Sequence, residues 1–295
     1  MLSVVSSIVH LSLFSTFRSA RLDEPLKLMC VMSHPDDESL GVGATLARYR
    51  AEGVEIHLVT ATRGERGWFG APEENPGLEE LGRIREAELG AAARVLGLES
   101  FAFLDYIDGD LDRADATEAA ARIAHHVRRV KPHVVITFGP DGAYGHPDHI
   151  AISQFTLAGI VQAASAWFVD SEELPAHAVL KLYYMAGTAP QFKIYEEVFG
   201  ELVMQVDGVE RRPVPWSEWA VTTCVQTEAY WEIARDAIAC HRTQLPGYAT
   251  LLSMPEAKLR KLWHDQTYYR AYSLVNGGRE IERDLFEGIR AGVKS

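Results

Sequence analysis

Residues 27–61 read KLMCVMSHPDDESLGVGATLARYRAEGVEIHLVTA, and they carry the clearest structural signal in this 295-residue chain. The opening run KLMCVMSH is short and apolar, which is typical of a buried parallel strand. Residues 39–52 repeat apolar side chains at helical spacing, and Gly53 follows where a glycine commonly ends a helix. The β-branched run VEIHLVTA predicts a second strand. The stretch therefore predicts a strand–helix–strand unit.

The same order of strand and helix continues along the chain. We predict further strands at 100–105, 133–138 and 177–186, and further helices at 78–96, 116–130, 227–243 and 256–275. Residues 187–223 show no clear period and are expected to be irregular. Repeated units of this kind predict an α/β fold with a mainly parallel, Rossmann-like sheet, helices on both faces and right-handed crossovers. An irregular C-terminal extension completes the prediction.

Residues 25–295 are predicted to form one domain, with a core at 27–185 and a variable C-terminal part at 186–295. The apolar, serine-rich residues 1–17 belong to an N-terminal extension, 1–24, that we expect to be disordered. No basic residue precedes this run, as a secretory signal requires, and it is shorter than the ~20 apolar residues of a transmembrane helix. A weak export or membrane signal is the alternative interpretation.

Composition argues against some classes of partner. The chain has 41 acidic and 29 basic residues, with a formal net charge of −12. This charge disfavours nucleic acid and anionic lipid, because both bind basic surfaces. The three cysteines, Cys30, Cys224 and Cys240, form no disulfide framework by their spacing. We therefore expect a cytoplasmic protein without a stable membrane span, whereas the sequence does not indicate the oligomeric state.

Polar residues follow the predicted strands where each strand ends. They lie at Ser33–Glu38, Thr62–Glu65, Asp105–Asp108 and Gly139–His149. In an open α/β sheet, ligands bind beyond the carboxyl ends of the strands. Because these segments share that edge, we expect their side chains to form one site.

The segment HPDDE at 34–38 has the residue types of a metal site. His34 and Asp37 stand three residues apart across Pro35, and imidazole and carboxylate groups are natural ligands of Zn²⁺. Asp36 must point in a different direction from Asp37. One carboxylate can therefore bind a metal ion while the other accepts a proton from water. The alternative is that Asp36 or Asp37 only caps a helix.

The segment HPDH at 146–149 offers two more imidazoles. If a helix begins here, the spacing puts His146 and His149 on one face. The positive helix N-terminus keeps an imidazole neutral, as a metal ligand requires. A solvated turn would explain this segment taken alone. Two such segments at neighbouring strand ends favour a metal-dependent active site.

Both segments resemble one protein family. HPDDE with the LGVGATLARYRAEGVEIHLVTATRGERG that comes soon after it, and GAYGHPDHIAI at 142–152, resemble the LmbE-like, or PIG-L, de-N-acetylases over about residues 27–185. The resemblance implies a zinc-dependent hydrolase with one zinc ion per chain, or with another divalent metal such as Fe²⁺. The implied partner is a small amino-sugar or glycoconjugate that loses an N-acetyl or other N-acyl group. An amidase of a thiol-sugar S-conjugate and a non-catalytic metal-binding relative are the alternatives.

The resemblance also implies roles for single residues. The implied metal ligands are His34, Asp37 and His149. Asp36 matches the general base, and His146 matches a second catalytic group that is charged when it stabilises the oxyanion or protonates the leaving amine. Asp148 is implied to orient a histidine, and Tyr144 to polarise the carbonyl. All of these residues fall within the two quoted motifs.

Three further residues are candidates for binding substrate. Arg85 and Asp108 match family residues that contact the substrate, Asp108 through sugar hydroxyls. Arg63 lies on the loop after the second strand and could line the pocket. The alternatives are a helix-surface pair of Arg85 with Glu88, a turn role for Asp108, and a loop-ordering pair of Arg63 with Glu65.

Two other classes of protein fit the sequence less well. Gly41 and Gly43 follow a strand, but Leu46 stands where the dinucleotide-binding fingerprint has its third glycine. Metal-dependent phosphoesterases often use two metals and more carboxylates than these motifs supply. The amide hydrolase that the family resemblance implies therefore remains the favoured function.

Overall fold

A seven-stranded sheet forms the centre of residues 24–290, which are the residues that this computed structural model describes. Seven of the described strands form this sheet and two form a separate hairpin. In chain order they are β1 (Lys27–Met32), β2 (Glu55–Thr62), β3 (Ser100–Tyr106), β4 (Val134–Thr137), β5 (Lys181–Met185), β6 (Met204–Val206), β7 (Val209–Arg211), β8 (Thr223–Gln226) and β9 (Asp265–Ser273). The helices are α1 (Asp37–Ala51), α2 (Leu78–Leu96), α3 (Ala116–Val130), the single turn α4 (Gly142–Gly145), α5 (Pro147–Ala164), α6 (Ala189–Phe199), α7 (Trp231–Ile238), α8 (Leu245–Leu252) and α9 (Glu256–Leu262).

The large sheet has the strand order β3-β2-β1-β4-β5-β9-β8. The first five strands of that order pair in parallel, whereas β9 pairs antiparallel with both β5 and β8. β6 and β7 form a separate hairpin. These pairings, with the flanking helices, confirm the predicted α/β fold with a mainly parallel sheet.

The chain reverses its direction across the sheet at β1. From β1 it runs through α1, β2 and α2 to the edge strand β3, and it then crosses back through α3 to β4 on the other side of β1. With right-handed crossovers, α1 and α2 cover one face and α3 covers the opposite face. In agreement, α1 and α2 both contact α7, while α3 packs against α5. The crevice between β1 and β4 is therefore the switch point where such sheets bind ligands.

In the first half of the chain, the helices and strands lie where the sequence predicts them. The helices predicted at 78–96 and 116–130 have those bounds as α2 and α3. Residues 28–32 of β1 are buried on both faces of the sheet, as its continuous apolar run predicts. Gly97 ends α2 in the left-handed region with φ 68°, which a glycine adopts without strain.

The prediction of one helix at 256–275 is wrong in its second half. The helix ends at Leu262, and Asp265–Ser273 forms β9 between β5 and β8. Buried hydrogen bonds hold this strand against α1, because Gln266 Oε1 accepts from the Thr45 amide and Tyr268 donates to Thr45 Oγ1. Thr and Tyr favour strands, and this tertiary pairing outweighs the apolar spacing that suggested a helix.

Two other C-terminal expectations also change. The segment 187–223 is not wholly irregular, since it contains α6 and the β6–β7 hairpin. The helix predicted at 227–243 is shorter and forms α7 at 231–238. The predicted N-terminal extension, 1–24, lies outside the described residues apart from Glu24. No helix within 24–290 has both the length and the apolar character needed to cross a membrane.

One buried carboxylate ties the C-terminal end of the described chain to the sheet. Glu282 accepts hydrogen bonds from Lys181 Nζ at 2.6 Å, Tyr183 at 2.6 Å and Thr223 at 2.7 Å. The Arg270 guanidinium lies 2.7 Å from the same carboxylate. Burial by itself would raise the pKa of Glu282, but these donors outweigh it and hold the pKa at about 2. The carboxylate therefore stays ionised at neutral pH.

We expect Glu282→Gln to lower the free energy of unfolding by about 3–5 kcal/mol at pH 7, because it leaves Lys181 and Arg270 without a charged partner. Because the pKa of Glu282 is lower in the folded chain than in the unfolded chain, its ionised carboxylate stabilises the fold fully above pH of about 4.5. This stabilisation is lost as the pH falls toward 2. Urea unfolding between pH 7 and pH 3 measures both effects. The exposed Glu280→Gln is the matched control. An equal free energy of unfolding for the two variants would refute this role of Glu282.

Candidate metal centre and active site

The predicted site residues meet at the switch point between β1 and β4. The loop 33–36 leaves β1 and leads into α1, and the loop after β4 leads into α5. Ser33 Oγ donates to the Asp148 carbonyl at 3.0 Å, which joins the two loops directly. The HPDDE and HPDH segments therefore face one another, as the sequence predicts.

His34, Asp37 and His149 surround one small volume. His34 Nδ1 lies 3.3 Å from His149 Nε2 and 3.7 Å from Asp37 Oδ2. Asp37 Oδ1 lies 3.6 Å from His149 Nε2. A regular tetrahedron of Zn–N bonds of about 2.0–2.1 Å has ligand–ligand edges of about 3.3–3.4 Å. These three side chains therefore fit a tetrahedral metal ion with a fourth position left for water or substrate.

Backbone amides hold the Asp37 carboxylate toward this volume. Asp37 Oδ2 accepts from the amides of His34 at 2.8 Å and Ser33 at 3.1 Å, so the side chain folds back over its own loop. Burial, together with the neighbouring carboxylates of Asp36 and Glu38, raises the pKa of Asp37 to about 7 despite the lowering effect of His34. A bound cation would relieve this concentration of buried negative charge.

The other nitrogen of His34 faces two different carboxylates. His34 Nε2 lies 3.0 Å from Asp108 Oδ1 and 3.2 Å from Asp148 Oδ2. Burial would lower the pKa of His34, but these carboxylates outweigh it and hold the pKa well above its ordinary value. Asp148 also accepts from the amides of Gly109 at 2.8 Å and Leu111 at 3.2 Å.

This second group, His34 with Asp108 and Asp148, could itself hold a metal ion, since its ligand atoms lie within 4.8 Å of one another. However, the backbone amides already occupy the Asp148 oxygens. The two carboxylates are better suited to accept a hydrogen bond from the His34 Nε2–H group, which fixes the orientation of the ring. The Nδ1 side of His34 is therefore the better metal position. The predicted orienting role of Asp148 fits this contact, and the histidine that it meets is His34.

His146 stands beside the three proposed ligands and begins α5. Its Nδ1 accepts from the Asp148 amide at 3.1 Å, so Nε2 carries the proton of the neutral ring. The ring stacks on His149 with centroids 4.5 Å apart. Burial and the nearby His34 charge together lower the pKa of His146 to about 4. The neutral ring offers Nε2–H as a donor, and the charged form that the resemblance implies during the reaction stays a prediction.

Asp36 has the most unusual backbone of the predicted residues. Its φ is 117° and its ψ is −26°, a conformation that L-residues rarely adopt. It precedes α1, but its side chain does not cap the helix. The carboxylate Oδ2 instead accepts from Tyr248 at 2.9 Å and Arg85 at 3.3 Å. Helix capping therefore does not explain Asp36, and strained residues of this kind often lie in active sites.

Arg85 lies inside the site and is almost fully buried. Its guanidinium donates to the carbonyls of Gly64 at 2.9 Å and Pro35 at 2.5 Å, in addition to Asp36. The alternative pair with Glu88 is not formed, because Glu88 accepts from Thr243 instead. Arg85 therefore contacts the loop 33–36 directly, whereas its contact with substrate stays a prediction.

Tyr144 and Asp108 lie near the histidines. The Tyr144 ring centroid is 5.4 Å from that of His149 and 5.8 Å from that of His146. Burial raises the pKa of Tyr144, so its hydroxyl keeps its proton and remains a donor. Asp108 contacts His34 and the Arg66 amide at 3.1 Å, which gives it more than a turn role. Its predicted contact with sugar hydroxyls stays a prediction.

Arg63 points away from this group. It donates to Glu86 and to Asp105, each at 2.6 Å, and lies over the Phe103 ring. The expected partner, Glu65, accepts from the Asp108 amide instead. These contacts do not support a substrate-binding role for Arg63, whose ion pairs order the loop after β2.

The C-terminal part supplies residues that the sequence did not identify. Tyr248 reaches Asp36, and His241 Nε2 lies 2.9 Å from Glu38 Oε1 in a fully buried pair. In the core, Phe138 after β4 is another residue that the sequence did not identify, and it stacks on His149 with centroids 3.9 Å apart. The one available signal was the segment ACHRTQ at 239–244, which weakly resembles the family and contains His241.

Comparison with known proteins agrees with this geometry. Residues 29–160 match the family described as PIG-L, GlcNAc-PI de-N-acetylase. A 1D-myo-inositol 2-acetamido-2-deoxy-alpha-D-glucopyranoside deacetylase of Thermobifida fusca is 36% identical, covering 88% of this chain and 98% of its own length. The mycothiol S-conjugate amidase of Streptomyces coelicolor is 30% identical, covering 91% and 99%.

A solved structure supports the same conclusion at the level of the fold. The crystal structure of a conserved protein from Thermus thermophilus superposes with a TM-score of 0.61 at 26% identity. It covers 85% of this chain and 97% of that protein. Because the curated relatives match at 30% identity or more over nearly their whole length, this chain belongs to the PIG-L, or LmbE-like, family of de-N-acetylases.

Proposed function

We propose that this protein is a metal-dependent amide hydrolase that removes the N-acetyl group from a small amino-sugar conjugate. The observation that carries the proposal is the convergence of His34, Asp37 and His149 within 3.3–3.7 Å of one another, next to the strained Asp36. The deacetylase activity of the Thermobifida fusca relative supports the choice of substrate class.

The proposed metal ligands are His34 through Nδ1, His149 through Nε2 and the Asp37 carboxylate. Two imidazoles and one carboxylate are a ligand set that suits zinc, and Fe²⁺ is an alternative with the same ligands. When bound, the ion supplies Lewis-acid activation of water and of the acyl carbonyl. Asp108 and Asp148 would hold His34 in the orientation that directs Nδ1 to the ion.

The remaining residues would act on protons and on developing charge. Asp36 accepts the proton of the attacking water, since its carboxylate lies next to the ligand set and is not used for helix capping. His146 Nε2–H and the Tyr144 hydroxyl are donors for the acyl oxygen, where negative charge develops as water attacks. A proton must then reach the leaving nitrogen, from Asp36 or His146, and the products are acetate and a primary amine.

A thiol-sugar S-conjugate amide is the second candidate substrate. The mycothiol S-conjugate amidase of Streptomyces coelicolor is similar over 91% of this chain, and hydrolysis of an amide in an S-conjugate needs the same site chemistry. The free cysteines Cys30, Cys224 and Cys240 are consistent with the cytoplasmic location that we propose for the enzyme.

Release of primary amine tests the proposed function. The purified, zinc-loaded protein is incubated with N-acetylglucosaminyl-inositol, N-acetylated chitooligosaccharides and a mycothiol S-conjugate. We expect stoichiometric acetate and amine from an N-acetyl sugar. Amine without acetate, from the S-conjugate alone, would select the amidase. No release from any of these compounds by zinc- or iron-loaded protein would contradict the proposal.

We expect Asp37→Ala and His149→Ala to lose bound zinc, because each removes one of three protein ligands. Asp36→Asn should keep about one zinc per chain, whereas its kcat should fall by about 10²–10⁴-fold, which is the usual contribution of a general base. Elemental analysis and amine release measure the two effects. The exposed Asp112→Asn is the control for a change from Asp to Asn. Full activity in Asp36→Asn would rule out the base assignment, and full zinc content in Asp37→Ala would rule out the ligand assignment.

A further inference from the structure

We propose that Tyr248 is a positioning residue for the general base, which rests on the function proposed above. Its hydroxyl and the Arg85 guanidinium together hold one carboxylate oxygen of Asp36, so that the other oxygen is left to accept the proton of water. This assigns a role in the reaction to the C-terminal part of the chain, which the two sequence motifs do not include.

The two carboxylate oxygens of Asp36 have different contacts. Oδ2 accepts from the Tyr248 hydroxyl at 2.9 Å and from Arg85 Nη2 at 3.3 Å. Oδ1 has no hydrogen-bond donor among residues 24–290. Two donors on one oxygen fix the rotation of the carboxylate and leave the lone pairs of Oδ1 available. A general base needs such an available oxygen within reach of the proton that it accepts.

The backbone of Asp36 is held from the opposite side. Its amide donates to Glu38 Oε2 at 3.0 Å, while Glu38 Oε1 meets His241 Nε2 at 2.9 Å. This pair fixes the strained main chain but does not touch the carboxylate. Tyr248 and Arg85 are therefore the groups that determine where the carboxylate points.

Tyr248 is itself held firmly in place. The turn before α8 contacts the first half of the chain at several points, including Gln244 Nε2 to the Gly67 carbonyl at 2.7 Å and the Thr243 amide to Glu88 at 2.8 Å. A tyrosine has few rotatable bonds, so holding its ring costs little conformational entropy. Burial raises the pKa of Tyr248, which keeps the hydroxyl protonated as a donor. The contact with Asp36 is therefore preorganised.

Arg85 cannot replace Tyr248 in this role. The guanidinium also donates to the carbonyls of Pro35 and Gly64, which limits how far it can move toward Asp36. Its 3.3 Å contact with Oδ2 is the longer of the two. Loss of the Tyr248 hydroxyl should therefore leave the carboxylate free to rotate, while the ring still fills its space.

Tyr248→Phe tests this role in the zinc-loaded, full-length protein. The matched control is Tyr106→Phe, because the Tyr106 hydroxyl is buried and makes no hydrogen bond within the described residues. We expect Tyr248→Phe to lose about 10-fold or more in kcat, which is part of the general-base contribution. KM, zinc content and Tm should match those of the control. A crystal structure of the variant should show the Asp36 carboxylate rotated or in two orientations.

Other outcomes would overturn the proposal. A kcat equal to that of Tyr106→Phe, or an Asp36 carboxylate that keeps its orientation in the crystal structure of the variant, would exclude positioning by Tyr248. A raised KM with unchanged kcat would assign Tyr248 to substrate binding instead. If the unaltered enzyme releases no amine from any compound tested, the proposed function fails, and the orientation of Asp36 in the variant decides the role of Tyr248 separately.

Discussion

The parallel pairing of β1 with β2 on one side and β4 on the other is the constraint on which the rest of the site depends. It makes the chain reverse direction at β1, so that the loops after β1 and β4 leave the sheet side by side. A crevice at such a reversal is open to ligands without any special loop geometry. His34 lies in the loop after β1, and His149 lies in the first turn of α5, to which the loop after β4 leads. Their rings therefore meet although 115 residues separate them.

Charge is the second organising feature of the site. Asp36, Asp37, Asp108 and Asp148 are gathered in a small, mainly buried region, and Arg85 is the cation in direct contact with one of them. Part of this charge is offset by backbone amides and by His34, which bears a raised pKa. Buried carboxylates without enough partners are costly, so a divalent cation would stabilise the arrangement. This concentration of negative charge supports the metal-activated water that we propose.

Residues outside the loop 33–36 hold Asp36 in place. Glu38 and His241 support the strained backbone of Asp36, and Tyr248 contacts its carboxylate. Strain at Asp36 persists because these contacts define its position from both sides. The C-terminal part thus contributes to the site by ordering groups of the N-terminal half.

The sequence by itself determined the order of the elements from β1 to β4, the mainly parallel sheet and the two motifs at neighbouring strand ends, because strand and helix periods and strand-end chemistry are local patterns. It did not determine β9, which adopts a strand through its pairing with β5 and β8. Nor did it determine which nitrogen of His34 faces Asp37, or that Tyr248 meets Asp36 across 212 residues. These features arise from contacts between segments far apart in the chain, and only the tertiary structure fixes such distances and orientations.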